Sequence, residues 1–421
     1  MILTKNTDTR RYLSNYERSV MGLILSSDNV VDFLRERGVC PPDFTVTSPI
    51  VCKESRNFNL VVKGDRNSYL IKQKRVDILE KASGQLITEW LVQQLIDNFS
   101  GLAFMQKLIS QVLLFDYANS TIVLAFYDDY LALDEFYETR KIYDYRIAST
   151  IGSHLAKIHR ATYQQQPYRE FIGQYVVPGF TQKQPTFISR LNSPSPSIFA
   201  EICPDGLDFY RLYQRFPSLE RAVIELYDNV KPACITHNDL TLDNFIIDPQ
   251  IDFKNEAIEP KIKIIDWELL DWGDPAIDLG MLVSQYLGEW LDSLVADRNL
   301  DLNTTLRLAS CPLEKIAPSL KALLHSYLDR FPEILIFRSD FVSRIVQFAG
   351  IGILDRMSYY IGRHDRFDNG SLCKLQVAKN LLCNPEPGIC TLFDTTEAEL
   401  IKEAYRPTRS PLAYGTILES H

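Results

Sequence analysis

Residues 237 to 244 carry an aspartate and an asparagine at a spacing that suits phosphoryl transfer. The stretch reads HNDLTLDN, so Asp239 and Asn244 are five positions apart, and Asp266 follows Asn244 by 22 positions. In this chemistry a carboxylate orients and deprotonates an attacking hydroxyl, while two further oxygen ligands hold magnesium on the nucleotide phosphates. We therefore predict Asp239 as the base, and Asn244 and Asp266 as the magnesium ligands.

The apolar stretches beside this loop predict how it is positioned. FIID and IKIIDWE read as two short strands that pair, which would place Asp266 opposite Asn244. The alternative is a solvated turn rich in Asp and Asn that caps a helix. The second strand, which ends at an aspartate, favours the phosphoryl-transfer interpretation.

The N-terminal half offers an independent test, because such a site needs a lysine for the inner phosphates and a glutamate to position it. Lys72 lies in SYLIKQ, a predicted third strand, and Glu89 lies in LITEWLV, in the helix that follows. The alternative is an exposed strand lysine and a solvated helix glutamate, each of which is common. Their order and element types favour the nucleotide site.

The order of elements around these residues is strand, strand, strand, helix, strand, strand. Residues 1–40 predict a helical lead-in, and FTVTSPIV, NFNLVVKG and NSYLIKQ then alternate with period two as three antiparallel strands. A helix from position 83 and two apolar strands around an Asn-Ser turn follow. The chain beyond 143 is mainly helical, apart from the two strands beside HNDLTLDN.

With these motifs, the chain resembles the aminoglycoside phosphotransferase and choline kinase group of protein-kinase-like enzymes. HNDLTLDN stands where the family has its HxDxxxxN loop, IIDWE where it has its metal-binding aspartate, and WGDPAIDLG where a further segment follows. The resemblance covers most of residues 45–290. It implies a kinase that uses ATP and Mg2+, and it implies that Asp278 braces the loop from a helix start, which is compatible with a helix N-cap.

The fold implied is α+β and bilobal, a protein-kinase-like fold with a small antiparallel β lobe and a large, mainly helical lobe. We expect a helical extension at 1–44, the small lobe at 45–130 and the large lobe at 131–421. A lid insertion is expected at about 161–230 and a helical substrate region near the C-terminus. By analogy of fold, adenine would lie against the linker 125–130.

The chain departs from the family pattern between its first two strands. A glycine-rich loop would let backbone N–H groups cover the phosphates, but this sequence has VCKESRNFN, without glycine. Ser55, Arg56 and Asn57 would supply amides and side-chain donors instead. We assign Ser55 and Asn57 to nucleotide binding, and a non-catalytic nucleotide-binding scaffold stays an alternative.

Three histidines receive no chemical role. His237 precedes the predicted base, which suffices alone, so we predict that His237 supports the loop structurally. His154 and His159 are five apart on an amphipathic helix, hence not on one face, and are predicted to pack or lie at the surface.

Composition limits the partners. A net charge of -9 disfavours a general nucleic-acid binder, since phosphate contacts are mostly cationic. The eight cysteines include no CxxC pair, which disfavours a zinc site. We expect a cytoplasmic protein with no membrane contact, since no secretory signal or transmembrane-length apolar run occurs.

The motifs predict the reaction better than the acceptor hydroxyl. ESRNFNLVVKGDRNSYLIKQ and DWELLDWGDPAIDLGMLVSQYLGEW are similar to kinases that act beside a partner lyase in lanthipeptide-type modification. This favours Ser or Thr of a precursor peptide, phosphorylated before elimination. A small polar or cationic alcohol, such as an aminoglycoside or choline-like compound, is the alternative acceptor.

Overall fold

The chain forms a mixed α+β structure with a small sheet-containing lobe and a larger helical lobe. The structure is a computed structural model that describes residues 23–54, 57–74, 85–175, 204–255, 258–295, 300, 302–361 and 369–404. The predicted fold class, α+β with two lobes of this kind, is confirmed. Among the described residues, no helix is long and apolar enough to cross a membrane.

The small lobe is built on one five-stranded antiparallel sheet with the order β1-β2-β3-β5-β4. Its strands are β1 (Val51–Glu54), β2 (Phe58–Val62), β3 (Ser68–Gln73), β4 (Val112–Asp116) and β5 (Thr121–Phe126). Side chains alternate between the two faces of a strand. Lys72 in β3 therefore lies on the face opposite Tyr69 and Ile71.

The first strand begins later than the sequence suggested. FTVTSPIV was expected to be a strand, but β1 starts at Val51, and Val46 makes only an isolated bridge to Gly64. Pro49 lacks an N–H and so cannot donate to a strand ladder. Phe44 instead packs edge-on against Tyr69, with ring centroids 5.4 Å apart.

Helix α1 (Val30–Glu36) covers the outer face of this sheet. Val30, Phe33 and Leu34 are buried in one cluster with Tyr69 and Ile71. Residues 1–22 of the predicted helical lead-in lie outside the described residues. The described part of the extension therefore forms part of the small lobe's hydrophobic core.

Helix α2 (Gln85–Asn98) lies between the lobes, and its apolar side chains pack in two directions. Leu86 packs with the sheet residues Ile122 and Leu124. Leu91 and Leu95 belong to the main core of the large lobe. A 3₁₀ segment, Ser100–Lys107, then leads to β4.

The large lobe combines many helices with two small sheets, one of β6, β8 and β9 and one of β7 and β10. In chain order its elements are β6 (Leu131–Ala132), α3 (Leu133–Arg140), α4 (Tyr145–Thr162), α5 (Gln166–Ile172), α6 (Pro204–Gln214), α7 (Pro217–Asp228), β7 (Cys234–Thr236), β8 (Phe245–Ile247), β9 (Ile262–Ile264), β10 (Asp271–Gly273), α8 (Pro275–Asp292), α9 (Leu302–Arg307), α10 (Leu313–Arg330), α11 (Ile334–Phe337), α12 (Phe341–Ile361), α13 (Asn369–Cys383), α14 (Pro385–Phe393) and α15 (Glu397–Ala404).

Helices α8 and α12 pack unusually closely through glycine. A Cβ atom on Gly280 would lie 2.3 Å from the Cβ of Phe348, and one on Gly352 would lie 2.2 Å from Ser284 Oγ. Atoms cannot approach so closely, so these positions require glycine for the packing seen. The contact holds α8, which carries Asp278, against the core.

The predicted lid at about 161–230 is helical where it is described. The end of helix α4, all of α5, and helices α6 and α7 lie within this range. Phe209 and Leu219 are fully buried in the main core. Residues 176–203 lie outside the described residues. The boundaries of the lid and of the three segments 1–44, 45–130 and 131–421 stay predictions.

Candidate active site

Two short antiparallel strands bring the predicted loop and the predicted metal ligand together. Strands β8 and β9 pair Phe245 with Ile264. Immediately beyond this pair, the Ile265 N–H donates to the Asn244 carbonyl at 2.9 Å. Asn244 directly precedes β8 and Asp266 comes two residues after β9, so the two residues lie at the same end of this antiparallel pair, as the apolar stretches predicted.

Lys72 connects the small lobe to this site. Its Nζ lies 3.1 and 2.9 Å from the two carboxylate oxygens of Glu89, and 2.6 Å from Asp266 Oδ1. Burial disfavours the ammonium, but the two carboxylates outweigh it and raise the pKa of Lys72 above its ordinary value. Burial also raises the pKa of Glu89, against the attraction of Lys72. Lys72 thus stays charged between Glu89 and Asp266.

Asn244 stabilises the loop that carries Asp239. The Asn244 side-chain Nδ2 donates to the Asp239 carbonyl at 2.8 Å, and the Thr241 N–H donates to the same carbonyl at 3.0 Å. Because the two polar atoms of an amide point in opposite directions, the Asn244 oxygen is directed away from this bond. An amide oxygen in that position is a suitable magnesium ligand.

His237 ties the loop to the backbone just before Asp266. Its Nε2 lies 2.8 Å from the Ile265 carbonyl oxygen, and the Asp239 N–H lies 3.3 Å from Nδ1. A neutral ring with the proton on Nε2 satisfies both contacts. His237 is fully buried, a position that suits the structural role predicted from sequence, which remains a proposal.

Asp278 lies under the loop and bonds its backbone. Its carboxylate accepts the N–H groups of His237 and Asn238, each at 2.8 Å. Asn238 has a φ of +63°, a left-handed conformation that asparagine tolerates better than most residues. Two hydrogen bonds to a buried carboxylate help hold this conformation next to Asp239.

His159 has a larger part here than the sequence indicated. Its Nε2 lies 3.3 Å from Asp278 Oδ2, and its Nδ1 lies 3.0 Å from the hydroxyl of Tyr327. The ring is 1% exposed. Its burial agrees with the expected packing, but its polar partners on helices α8 and α10 were not predicted.

Asp274 anchors the start of helix α8. From the sequence it was noted only as part of the segment WGDPAIDLG, to which the family resemblance extends. Its carboxylate accepts the Ala276 N–H at 3.1 Å, the Lys231 N–H at 3.1 Å and a bond from Arg338 Nη1 at 3.2 Å. Asp274 and Arg338 are both buried. This network holds the helix that presents Asp278.

The two positions predicted to bind nucleotide near the first strands are only partly described. Ser55 lies outside the described residues. Asn57 is 3% exposed, and its Nδ2 lies 3.4 Å from Oε2 of Glu268. Glu268, to which the sequence analysis assigned no role, also accepts a hydrogen bond from the Thr88 hydroxyl through its carbonyl.

The linker 125–130 differs from the expectation at its first residue. The Ala125 N–H donates to the Gln111 carbonyl at 2.9 Å, and the Ala125 carbonyl accepts the Ser110 hydroxyl at 2.9 Å. Both backbone groups of Ala125 are thus engaged within the protein. Adenine recognition by this linker stays a prediction, and residues 126–130 would carry it.

A cavity of about 420 Å³ adjoins the linker on the outer face of the sheet. Its lining includes Val39 and Tyr69, which lie on the side covered by α1. Lys72 lies on the other face. The cavity is therefore separate from the cleft that contains Lys72 and Asp266.

The structure brings the predicted site residues into two connected groups. Lys72, Glu89 and Asp266 form one group. Asp239, Asn244, His237 and Asp278 form the other, and the His237–Ile265 bond joins the two. Within the described residues, no cluster of three or more His, Cys, Asp or Glu side chains could hold a metal ion. Any magnesium here would need the amide and phosphate oxygens as well as Asp266.

Comparison with known proteins agrees with this site. Residues 140–309 match the family model described as the phosphotransferase enzyme family. This segment contains the loop 237–244, Asp266 and Asp278. No curated protein matches the sequence.

Two solved structures are similar to this chain. A choline kinase from Cryptosporidium parvum is 11% identical, with 90% of this chain and 100% of that chain covered and a TM-score of 0.50. An ethanolamine kinase from Plasmodium vivax is 15% identical, with 91% and 95% covered and a TM-score of 0.48. The family model confirms the resemblance found from the motifs and the prediction of a phosphotransferase. The likeness to the choline kinase structure supports the predicted fold.

Proposed function

We propose that this phosphotransferase transfers the terminal phosphoryl group of ATP to the hydroxyl of a small polar alcohol, with Mg2+ bound at Asn244 and Asp266. The observation that carries the proposal is the position of Lys72. Its ammonium bonds Glu89 and Asp266 at once, beside the loop that presents Asp239. A charged lysine next to a metal-ligating carboxylate is what the phosphates of a nucleotide require.

The donor set suits magnesium, which binds proteins through one or two carboxylates and keeps water and phosphate oxygens as its other ligands. Asp266 offers a carboxylate and Asn244 an amide oxygen. When bound, the ion neutralises charge that develops on the phosphates. Lys72 serves the inner phosphates, and Glu89 holds its ammonium in place.

Asp239 acts on the acceptor. The acceptor oxygen forms a bond to the terminal phosphorus while the bridging P–O bond breaks, so that ADP leaves. The hydroxyl proton passes to the Asp239 carboxylate. His237 and Asp278 hold the loop backbone so that this carboxylate stays directed at the acceptor.

A short segment after Asp266 supports a small acceptor over an extended peptide. Asp274 follows Asp266 by only eight positions and already caps helix α8. Between them, Leu270 and Trp272 are buried and β10 pairs with β7. This segment therefore offers no long exposed strand on which a peptide could lie. The comparisons do not support the peptide acceptor or the partner lyase suggested by sequence.

An acceptor panel tests the proposal directly. The protein is incubated with γ-labelled ATP, Mg2+ and separate acceptors: choline, ethanolamine, an aminoglycoside and a Ser/Thr-containing peptide. We expect label transfer to one of the small alcohols. Asp239→Asn should lower kcat by about a hundredfold or more. Asp243→Asn, an exposed change in the same loop, is the matched control and should keep activity.

Each contrary result has a clear meaning. Transfer to the peptide alone would replace the small-alcohol acceptor with the peptide. Nucleotide binding without transfer to any acceptor would indicate a non-catalytic scaffold. Equal activity of the parent and Asp239→Asn would show that the base is wrongly assigned.

A further inference from the structure

Glu268 is a buried carboxylate at the point where three parts of the site meet. It follows Asp266 by two positions and is 7% exposed. It bonds Asn57 of the segment between β1 and β2 through its side chain, and Thr88 of helix α2 through its carbonyl. Glu268 thus contacts the two small-lobe elements that surround Lys72.

The contact with Asn57 crosses the cleft between the lobes. Asn57 and Glu268 are 211 positions apart, and their side chains meet through Nδ2 and Oε2 at 3.4 Å. Asn57 is itself 3% exposed, so the amide is buried with the carboxylate. A buried carboxylate requires hydrogen-bond donors, and an amide N–H supplies one.

In a kinase-like site the loop between the first two strands lies over the nucleotide phosphates, and in this chain Asn57 directly precedes β2. A glycine-rich loop achieves this by close approach of its backbone. Residues 52–58 contain no glycine. Some other interaction must set the distance between this segment and Asp266.

We propose that the Asn57–Glu268 pair is that interaction, a positioning contact that holds the start of strand β2 at the phosphate side of the cleft. This rests on the proposed function. Glu268 acts through Asn57, and neither side chain takes part in bond making. Loss of the contact should weaken nucleotide binding and leave acceptor binding unchanged, because only the phosphate side of the cleft is affected.

A side-chain swap tests the pair. Asn57→Asp places two carboxylates together and should raise the KM for ATP about tenfold, as expected for a lost charge-assisted hydrogen bond. The double variant Asn57→Asp with Glu268→Gln restores an amide–carboxylate pair in the reverse direction. Its KM for ATP should return to within about threefold of the parent. The KM for the acceptor should not change.

A matched control exists on the surface. Gln166 and Glu170 form an amide–carboxylate bond of 3.0 Å on the exposed face of helix α5. Swapping Gln166→Glu with Glu170→Gln makes the same chemical exchange away from the cleft. This pair should leave the KM for ATP unchanged.

Three outcomes decide the inference. Rescue of the KM for ATP by the swap supports it. Additive losses in the double variant overturn it, while the activity of the parent shows that the proposed function still stands. A loss of kcat in Glu268→Gln that the swap does not repair would also overturn it, because Glu268 would then act without Asn57.

Amide hydrogen exchange gives a second measure that does not depend on catalysis. In the nucleotide-free protein, Asn57→Asp should speed exchange in strand β2, and the swap should slow it again. Equal exchange in all three proteins would overturn the positioning role whether or not the protein transfers phosphate.

Discussion

Lys72 Nζ lies 2.6 Å from Asp266 Oδ1 although the two residues are 194 positions apart. The same nitrogen bonds both carboxylate oxygens of Glu89. One ammonium therefore bridges two carboxylates that come from different lobes. This makes Lys72 important for stability as well as for nucleotide binding.

Lys72→Met should abolish measurable phosphate transfer and lower the free energy of unfolding by about 3 kcal/mol, because Glu89 would be left buried without a partner. Urea unfolding and labelled-ATP turnover measure the two effects. Adding Glu89→Gln should recover much of the stability and none of the activity. If the double variant is less stable than Lys72→Met, the stability argument is wrong.

Tyr327→Phe should lower kcat several-fold with little change in KM. The hydroxyl of Tyr327 forms a hydrogen bond with His159, and His159 forms one with Asp278. Asp278 in turn accepts the backbone N–H of His237 in the loop before Asp239. Stability should fall by about 1 kcal/mol for the lost hydrogen bond. Steady-state kinetics and thermal unfolding provide the two measurements.

Tyr286→Phe is the control for that substitution. Its hydroxyl lies 2.9 Å from the Tyr137 hydroxyl in an equally buried position, away from His159. It should lose similar stability and retain kcat. Equal kcat losses in both variants would mean that Tyr327 has no specific link to the loop.

His154 should make the protein sensitive to mild acid. Burial, assisted by Lys157, lowers its pKa from 6.5 to about 4. The folded state therefore binds this proton less tightly than the unfolded chain. The contribution of neutral His154 to the free energy of unfolding is complete above pH 6.5 and is lost as the pH falls towards 4. Over this pH range we expect the free energy of unfolding to fall by about 2 kcal/mol more in the parent than in His154→Gln.

Urea unfolding at a series of pH values between 7 and 4 measures that difference. His325→Gln on helix α10 controls for the removal of a histidine elsewhere. A parent and His154→Gln with parallel stability curves would show that His154 is not the group responsible.

The two ends of helix α2 should respond differently to substitution, because they pack against different lobes. Leu95 is packed in the main core, whereas Leu86 contacts the sheet. Leu95→Ala should cost about 3 kcal/mol and speed amide exchange in large-lobe helices, whereas Leu86→Ala should mainly affect strands β4 and β5. The same exchange pattern for both substitutions would contradict this division.

The sequence alone determined the local elements and the order of the motifs. Strand β3 with Lys72, helix α2 with Glu89 and the β8–β9 pair were predictable because each depends on periodicity within a few residues. The family model covers the segment that carries the loop 237–244 and Asp266, and its description as a phosphotransferase family agrees with the chemistry that these motifs indicated. The first strand was misplaced because the alternation of apolar and polar residues continued through Pro49. Proline has no backbone N–H and so cannot donate a hydrogen bond to a neighbouring strand.

Only the tertiary structure decided which distant polar side chains meet. His159 and Asp278 are 119 positions apart, and Asn57 and Glu268 are 211 apart. Neither pair leaves a periodic signal, because such contacts depend on how whole helices and lobes pack. The residues of the chemical motif were therefore readable from the sequence, and the contacts that hold them in position required the folded chain.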